Sequence, residues 1–219
     1  MSPKSQPEPK LKVPAISLVI EGGGDDGKSR SLLASGFKAL LKTTIAKATK
    51  KRIRFDVVMG GGKNKAHEHF TKTYLKHPQV CCLLLIDADS KPDDLTKPWV
   101  HAFKQHKMDR GEATEKDCHL MVMTMESWLL CDPKALAEYY GKNFKPNGLP
   151  RPAQVEQVPK DTQAAELKRA TADTQKESYH KIRHAADLLA KVDPKELLEH
   201  SKSFKRFVQT LEDWIAAVP

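Results

Sequence analysis

Apolar runs and amphipathic stretches alternate along the first two thirds of the chain. The apolar runs predict four β-strands, which would cover residues 15–21, 53–59, 80–89 and 118–126. Apolar residues at helical spacing predict the helices that follow them, at residues 29–50, 65–77, 97–106 and 133–140. Such alternation is typical of a mostly parallel sheet with helices on both faces. We therefore predict an α/β fold with a four-stranded, Rossmann-like sheet flanked by helices.

The last third of the chain has a different pattern. Residues 142–160 contain four prolines and predict a connecting loop. The helical patterns beyond this loop cover residues 161–172, 177–191, 194–200 and 203–217. We expect this helical C-terminal region, residues 161–219, to pack on the α/β domain of residues 15–141 or to cap it. Residues 1–14 are polar and Pro-rich and predict a disordered tail.

The composition is that of an ordinary globular domain. Of the 219 residues, 39% are hydrophobic and 30% are charged. No apolar run approaches the roughly 20 residues that span a bilayer, and the N-terminal residues lack the apolar core of a signal peptide. The four cysteines form no C-x-x-C pair, which argues against a zinc site or a disulfide framework. We expect a cytoplasmic protein without a membrane contact.

Positive charge is concentrated in one segment. The net charge is +9, and the segment from Lys28 to Arg54 contains nine Lys or Arg residues and no acid. This basic segment is either a solvated helix face or a surface for phosphates or an acidic partner. On the second interpretation, Lys28 and Arg30 would bind the substrate. Few aromatic residues accompany the charges, so base stacking is not indicated.

A glycine-rich stretch, GGGDDGKS, lies between the first predicted strand and the first predicted helix. It fits the pattern of a nucleotide-binding P-loop that ends in Lys28 and Ser29. A P-loop NTPase or kinase that uses residues 22–29 is therefore one hypothesis. The carboxylates of Asp25 and Asp26 stand against it, because they would repel a polyanion bound in the loop.

Acidic residues mark the carboxyl ends of three predicted strands. Glu21 ends the first strand, Asp87 and Asp89 end the third, and Glu126 lies at the end of the fourth. Ligands bind at this edge of a parallel sheet. Asp87 and Asp89 are two residues apart on an extended segment, so both side chains should point to the same side. With Glu21, as a further ligand or a general acid/base, they would bind Mg²⁺ or Mn²⁺ and support phosphodiester cleavage.

This arrangement resembles the Toprim fold of topoisomerases, bacterial primases and overcoming-lysogenization-defect (OLD) nucleases. Glu21-Gly22 and Asp87-Ala-Asp89 resemble its Glu after the first strand and its D-x-D after a later one. Nearly the whole chain also resembles a bacterial family of Toprim-like proteins that are often encoded beside ATPase genes in defence-type loci. This resemblance is carried by stretches that include IEGGGDDGKSRSLLASGFKALL, GGGKNKAHEHF, LLLIDADS, HLMVMTMESWLLCDPKALAEYYGKNF and YHKIRHAADLLAKVDP.

The resemblance implies a metal-dependent nuclease that acts on DNA or RNA and works with an ABC/OLD-type ATPase in antiviral defence. It implies catalytic roles for Glu21, Asp87 and Asp89 and, through MESWLLCD, a supporting role for Glu126. It further implies that Lys28 and Ser29 complete the P-loop pattern only by coincidence. A non-catalytic subunit that binds an ATPase or nucleic acid is a further hypothesis, and the sequence leaves open whether the protein is a homo-oligomer.

Two further groups of residues are expected to contact the substrate. Gly22 and Gly23 would let a phosphate backbone approach closely. In YHKIRH, the i, i+4 spacing of His180 and His184 suits a transition metal, but a cation that reaches a phosphate is the favoured interpretation. Lys181, beside His180, is the leading candidate for that cation. The lysine of VPK, Lys160, is a similar candidate.

Overall fold

The structure, a computed structural model, describes residues 13–219, so most of the predicted tail at residues 1–14 lies outside the described residues. It confirms the α/β fold, with four parallel strands in one sheet flanked by helices. The strands are β1 (Ala15–Ile20), β2 (Arg54–Met59), β3 (Val80–Asp87) and β4 (Cys118–Met121). Every residue of β1 is buried, because strands flank both of its edges and helices cover both faces of the sheet.

Helices connect the strands and form the C-terminal region. The helices of the α/β part are α1 (Gly27–Leu40), α2 (Lys42–Lys50), α3 (Lys63–Lys76), α4 (Pro98–His106), α5 (Met125–Leu130) and α6 (Pro133–Tyr140). Those of the C-terminal region are α7 (Lys160–Thr171), α8 (Lys181–Lys191), α9 (Pro194–His200) and α10 (Lys202–Ala217). Within residues 13–219, none of the helices combines the length and the apolar character needed to cross a bilayer.

Two hydrophobic cores lie on opposite faces of the sheet. Alternate residues of the strands point into each core, because side chains alternate along a strand. Leu18 and Leu85 pack into the larger core with Phe37 of α1 and with residues of α5, α6 and α8–α10. Val19 and Leu84 pack into the smaller core, with residues of α3 and α4. The C-terminal helices therefore share a core with the sheet.

The strand order β2-β1-β3-β4 places the topological switch point between β1 and β3. The chain leaves β1 toward α1, on the face of the larger core, and leaves β3 toward α4, on the opposite face. A crevice therefore opens beyond the carboxyl ends of these two strands, where ligands bind in open α/β sheets.

Several predicted boundaries were wrong. The single helix predicted over residues 29–50 breaks at Leu41, which is buried and has non-helical dihedral angles, and the break lets α2 turn toward α10. The strand predicted over residues 118–126 ends at Met121, because the following residues turn into α5. The predicted loop of residues 142–160 contains a short 3₁₀ helix, Pro152–Gln157, and the helix predicted from residue 177 begins at Lys181.

Candidate functional site

Glu21 and Asp87 lie side by side at the switch point. Glu21 continues β1, and its main-chain N–H donates to the oxygen of Leu85 at 2.9 Å. Its carboxylate accepts a hydrogen bond from the N–H of Asp87 at 3.0 Å. The parallel pairing of β1 with β3 brings these two acids together, although 65 residues separate them in the chain.

Glu126 joins these acids from a helix, and the prediction that it lies at a strand end was wrong. It occupies the first turn of α5. The N–H of Met125 donates to the Asp87 carboxylate at 2.8 Å, and this bond attaches the start of α5 to the end of β3. The buried hydroxyl of Tyr179 donates to the Glu126 carboxylate at 3.0 Å. Tertiary contacts therefore decide the local structure around Glu126.

Lys181, the first residue of α8, bridges two of the acids. Its ammonium nitrogen is 3.1 Å from an Asp87 oxygen and 3.4 Å from a Glu126 oxygen. Burial opposes the charge on this lysine, but Asp87 and Glu126 outweigh burial and raise the pKa of Lys181. The side chain is 42% exposed, so its ammonium group can also meet an anion that arrives from solvent.

Lys63 is a second cation among the acids, and it was not predicted from the sequence. It begins α3, after the GGG turn that follows β2. Its ammonium group donates to the main-chain oxygen of Asp87 at 2.7 Å and to the Asp89 carboxylate, and it lies 3.6 Å from Glu21. His106, at the end of α4, lies 3.1 Å from it. The glycine turn was an available signal, because it follows a strand next to β1 at the same edge of the sheet.

Asp89 departs from the extended geometry predicted for D-x-D. Strand β3 ends at Asp87, and Asp89 has a φ of +60°, in the left-handed region. The two carboxylates therefore diverge: that of Asp87 reaches α5 and α8, whereas that of Asp89 contacts Lys63 and Lys160. Lys160 begins α7, and its ammonium nitrogen lies 2.9 Å from an Asp89 carboxylate oxygen.

These acids and lysines form one group, which we call the acid–lysine cluster. Its members are Glu21, Asp87, Asp89, Glu126, Lys63, Lys160 and Lys181.

Burial sets the charge state of the acids in the cluster. Burial, and then repulsion from Asp87, raise the pKa of Glu21 from 4.5 to about 7. Burial also raises the pKa of Asp87. Partial burial would raise the pKa of Asp89, but the hydrogen bonds from Lys63 and Lys160 outweigh it and lower that pKa. At neutral pH, Glu21 is therefore divided between its charged and neutral forms.

The fit of a metal ion to this cluster depends on Lys63. Across the described residues, no three His, Cys, Asp or Glu side chains converge closely enough to hold an ion as they stand. Yet the carboxylates of Glu21 and Asp89 and the main-chain oxygen of Asp87 surround the Lys63 ammonium group, and oxygen atoms are the ligands that Mg²⁺ and Mn²⁺ prefer. Next to Asp89, the Ser90 hydroxyl is buried without a hydrogen-bond partner within the described chain. These carboxylates suit a hard divalent cation once the ammonium group gives way and the Asp87 carboxylate turns from Met125 and Lys181 toward Glu21 and Asp89.

The glycine-rich stretch forms a tight turn against a second glycine turn. Gly22 exchanges two main-chain hydrogen bonds with Gly61, of 2.7 and 3.1 Å. Gly23 has a φ of +85°, and a Cβ there would lie 2.9 Å from the Cα of Arg30. The Arg30 guanidinium donates to two main-chain oxygen atoms of the same turn. Arg30, predicted to bind the substrate, thus holds the turn in shape.

A carboxylate occupies the start of α1, where a phosphate cradle would offer its N–H groups. The Asp26 carboxylate caps the helix by accepting a hydrogen bond from the N–H of Ser29 at 2.9 Å. A phosphate would have to displace this carboxylate or approach against its charge. Lys28 is exposed, and Asp25 pairs with Lys65 at 2.8 Å. The structure therefore places a carboxylate at the point where a P-loop would bind a phosphate.

Part of the basic segment is committed to contacts with the C-terminal region. Lys47 pairs with Glu212 of α10 at 2.5 Å. Lys51 donates to the main-chain oxygens of Ala216 and Val218, at 2.9 and 2.5 Å. These lysines hold α2 against the end of the chain, so only part of the segment is free to serve as a surface for phosphates.

His180 and His184 use their i, i+4 spacing to begin α8. His184 is buried, and its Nδ1 accepts a hydrogen bond from the main-chain N–H of His180 at 3.1 Å. The same nitrogen is 3.1 Å from the Tyr140 hydroxyl. The side chain of His180 is exposed. Because the Nδ1 of His184 is engaged in this way, the contacts favour Lys181 as the functional residue of YHKIRH.

Comparison with known proteins identifies a family. No curated protein and no solved structure gives a significant match to the chain. A family model described as a domain of unknown function (DUF4276) matches residues 20–212, a range that includes every member of the acid–lysine cluster. Because the match covers most of the sequence, the chain belongs to this family.

Proposed function

We propose that the protein is a hydrolase that cleaves phosphodiester bonds in DNA or RNA with the help of Mg²⁺ or Mn²⁺. One observation carries this proposal: Glu21, Asp87 and Asp89 meet at the switch point of a parallel sheet, together with lysines from three helices. Acids suited to a divalent cation and ammonium groups suited to phosphate oxygens are the two components that such a reaction requires.

The same acids support a distant relationship to the Toprim fold. Glu21-Gly22 follows β1, and Asp87-Ala-Asp89 follows the adjacent strand β3. The resemblance to proteins encoded beside ATPase genes extends the proposal to an ABC/OLD-type ATPase partner and a role in antiviral defence.

The residues that would hold the metal ion are Glu21, Asp87 and Asp89. When bound, the ion would supply positive charge against the phosphate and would lower the pKa of a water molecule. Glu126 would act through Asp87, because the two carboxylates share the ammonium group of Lys181. Its role is to position Asp87 and Lys181 for the reaction.

The side chains of the cluster also suit the substrate. Lys160 and Lys181 are 43% and 42% exposed, so their ammonium groups can bind phosphate oxygens from solvent. Without a metal ion Glu21 has a pKa of about 7, so its carboxyl group must release a proton when the ion binds near neutral pH. At Gly22 and Gly23, Leu33 and Arg30 take up the space that a side chain would fill, so the close approach of a phosphate backbone to the turn stays a prediction.

The two alternatives make different demands on the structure. A P-loop NTPase or kinase would bind ATP through Lys28 at the start of α1, where the Asp26 carboxylate lies. A non-catalytic subunit would bind nucleic acid or an ATPase without cleaving either. The buried and mutually repelling acids favour the hydrolase, because a surface that only binds polyanions has no need of them.

The test is a cleavage assay with matched variants. The purified protein is incubated with plasmid, single-stranded DNA and RNA in Mg²⁺ or Mn²⁺, with and without an ABC/OLD-type ATPase. Glu21→Gln and Asp89→Asn should abolish cleavage, whereas Lys28→Ala, at an exposed position outside the acid–lysine cluster, should stay largely active. Cleavage that survives in both acid variants would contradict the proposal. ATP binding that is lost in Lys28→Ala would support the NTPase, and binding without cleavage under every condition would support the non-catalytic subunit.

A further inference from the structure

A pocket of about 510 Å³ adjoins the acid–lysine cluster. The glycine turn and helices α1, α5, α7 and α8 contribute to its walls, with lining residues that include Gly23, Leu33, Glu126, Ala164, Lys168 and Ile182. Lys181 also lines it. Since Glu126 and Lys181 belong to both, the pocket is continuous with the proposed reaction centre.

The pocket has a charged end and an apolar wall. Glu126 and Lys181 form the charged end, whereas Leu33, Ala164 and Ile182 supply apolar surface. Ile182 is 55% exposed, so the fold leaves this large apolar side chain largely in solvent. A ligand with a charged group at one end and a weakly polar body would match both parts of the pocket.

We propose that the pocket receives the base and sugar of the nucleotide next to the scissile phosphate, so that the substrate is single-stranded nucleic acid. This inference rests on the proposed function. The volume lies within the usual range of small-ligand sites, about 300–1,000 Å³, and suits one nucleoside. A base in a duplex is stacked and paired, and it enters a pocket only after a costly extrusion, whereas a base in a single strand enters freely.

The nature of the walls indicates how the base is held. Leu33 and Ile182 offer aliphatic surface to the face of a base, and such a contact does not discriminate among sequences. Lys168 lines the same pocket and is exposed, so it can contact a neighbouring phosphate. The pocket therefore selects for an unpaired base and leaves the sequence open.

The test measures binding separately from cleavage. A short fluorescent single strand and the matching duplex are titrated by anisotropy in EDTA, where metal-dependent cleavage does not occur. Ala164→Trp fills the pocket, and Ile182→Asp places a negative charge at an exposed position that does not perturb the core. Both should weaken single-strand binding by about tenfold or more, the scale of losing one base contact. The control Val100→Asp, at a 57% exposed residue of α4 on the other face of the sheet, should bind as the wild type does.

The outcomes separate this inference from the proposed function. Unchanged single-strand binding in both pocket variants, or duplex binding as tight as single-strand binding in the wild type, overturns the pocket assignment even if metal-dependent cleavage is present. Pocket-dependent binding of the single strand supports the assignment. If that binding is accompanied by no cleavage in any metal, the hydrolase is overturned, and the pocket is a binding site for an unpaired base without a scissile phosphate beside it.

Discussion

The ammonium nitrogen of Lys63 donates a hydrogen bond to the main-chain oxygen of Asp87 at 2.7 Å. The lysine side chain is only 12% exposed and also contacts the carboxylates of Glu21 and Asp89. A positive charge at this position offsets part of the repulsion among the acids. It also competes with any divalent cation for the same oxygen atoms.

Removal of the Lys63 ammonium group should therefore raise the affinity for a divalent metal ion. We expect Lys63→Met to bind Mn²⁺ about tenfold more tightly than the wild type, as measured by calorimetry and by electron paramagnetic resonance. Lys65→Met is the matched control, because Lys65 lies in the same helix and pairs with the exposed Asp25. An affinity that is equal or lower in Lys63→Met would show that Lys63 does not compete with the metal.

Ionisation of Glu21 should lower the free energy of unfolding of the metal-free protein as the pH rises. Its pKa of about 7 in the folded state exceeds the ordinary 4.5, so between these values the folded protein binds more protons than the unfolded chain. The free energy of unfolding must then fall with rising pH, by roughly 3 kcal/mol in total. Glu21→Gln cannot ionise and should lack this part of the pH dependence.

Urea unfolding in EDTA at pH 5 and pH 8 checks this expectation. The gap in unfolding free energy between the two pH values should be smaller for Glu21→Gln than for the wild type, and the variant should be the more stable protein at pH 8. An equal gap in both proteins would mean that the Glu21 carboxyl group does not titrate in this range.

Lys181 should matter more to stability than another lysine of the same helix. In Lys181→Met the carboxylates of Asp87 and Glu126, which are 11% and 10% exposed, lose their shared ammonium group. We expect a loss of about 1–3 kcal/mol in the free energy of unfolding at pH 8. Lys191→Met removes a lysine of α8 with nearly the same exposure, but its partner Glu138 is 76% exposed, so the loss should be near zero. Equal losses in urea unfolding would contradict this account.

A side chain at Gly36 of α1 should clash with the main chain of α8. A Cβ there would come within 2.6 Å of the main-chain oxygen of Ala186, so Gly36→Ala must push the two helices apart. We expect a cost of about 1–3 kcal/mol. Gly27→Ala, at the first residue of α1, meets open space and should be neutral or slightly stabilising. Thermal unfolding of both variants tests the packing of the C-terminal region on the sheet, and equal transition temperatures would count against it.

The apolar run of β3 was predicted from the sequence, but the residue at which the strand ends was not. The run VCCLLLID was recognisable because its apolar residues are continuous, as expected for a strand buried on both faces. Its end was placed at residue 89, but the strand stops at Asp87 and Asp89 adopts a left-handed conformation. No local pattern indicates this, because the bonds that hold Asp89 come from Met123, Lys63 and Lys160, which are distant in sequence.

The sequence by itself determined the parallel sheet and the meeting of Glu21 with Asp87, because hydrophobic periodicity is local and the carboxyl ends of parallel strands share one edge. Only the tertiary structure decided that Lys63, Lys160 and Lys181 enter the same cluster. Each lysine is the first residue of a helix, and where that helix begins in space depends on how it packs against the sheet. Glu21 and Asp87 were therefore predictable from their strands. Lys160 and Lys181 were candidate cations in the sequence, but their place beside these acids, like that of Lys63 and Glu126, depends on packing between distant parts of the chain.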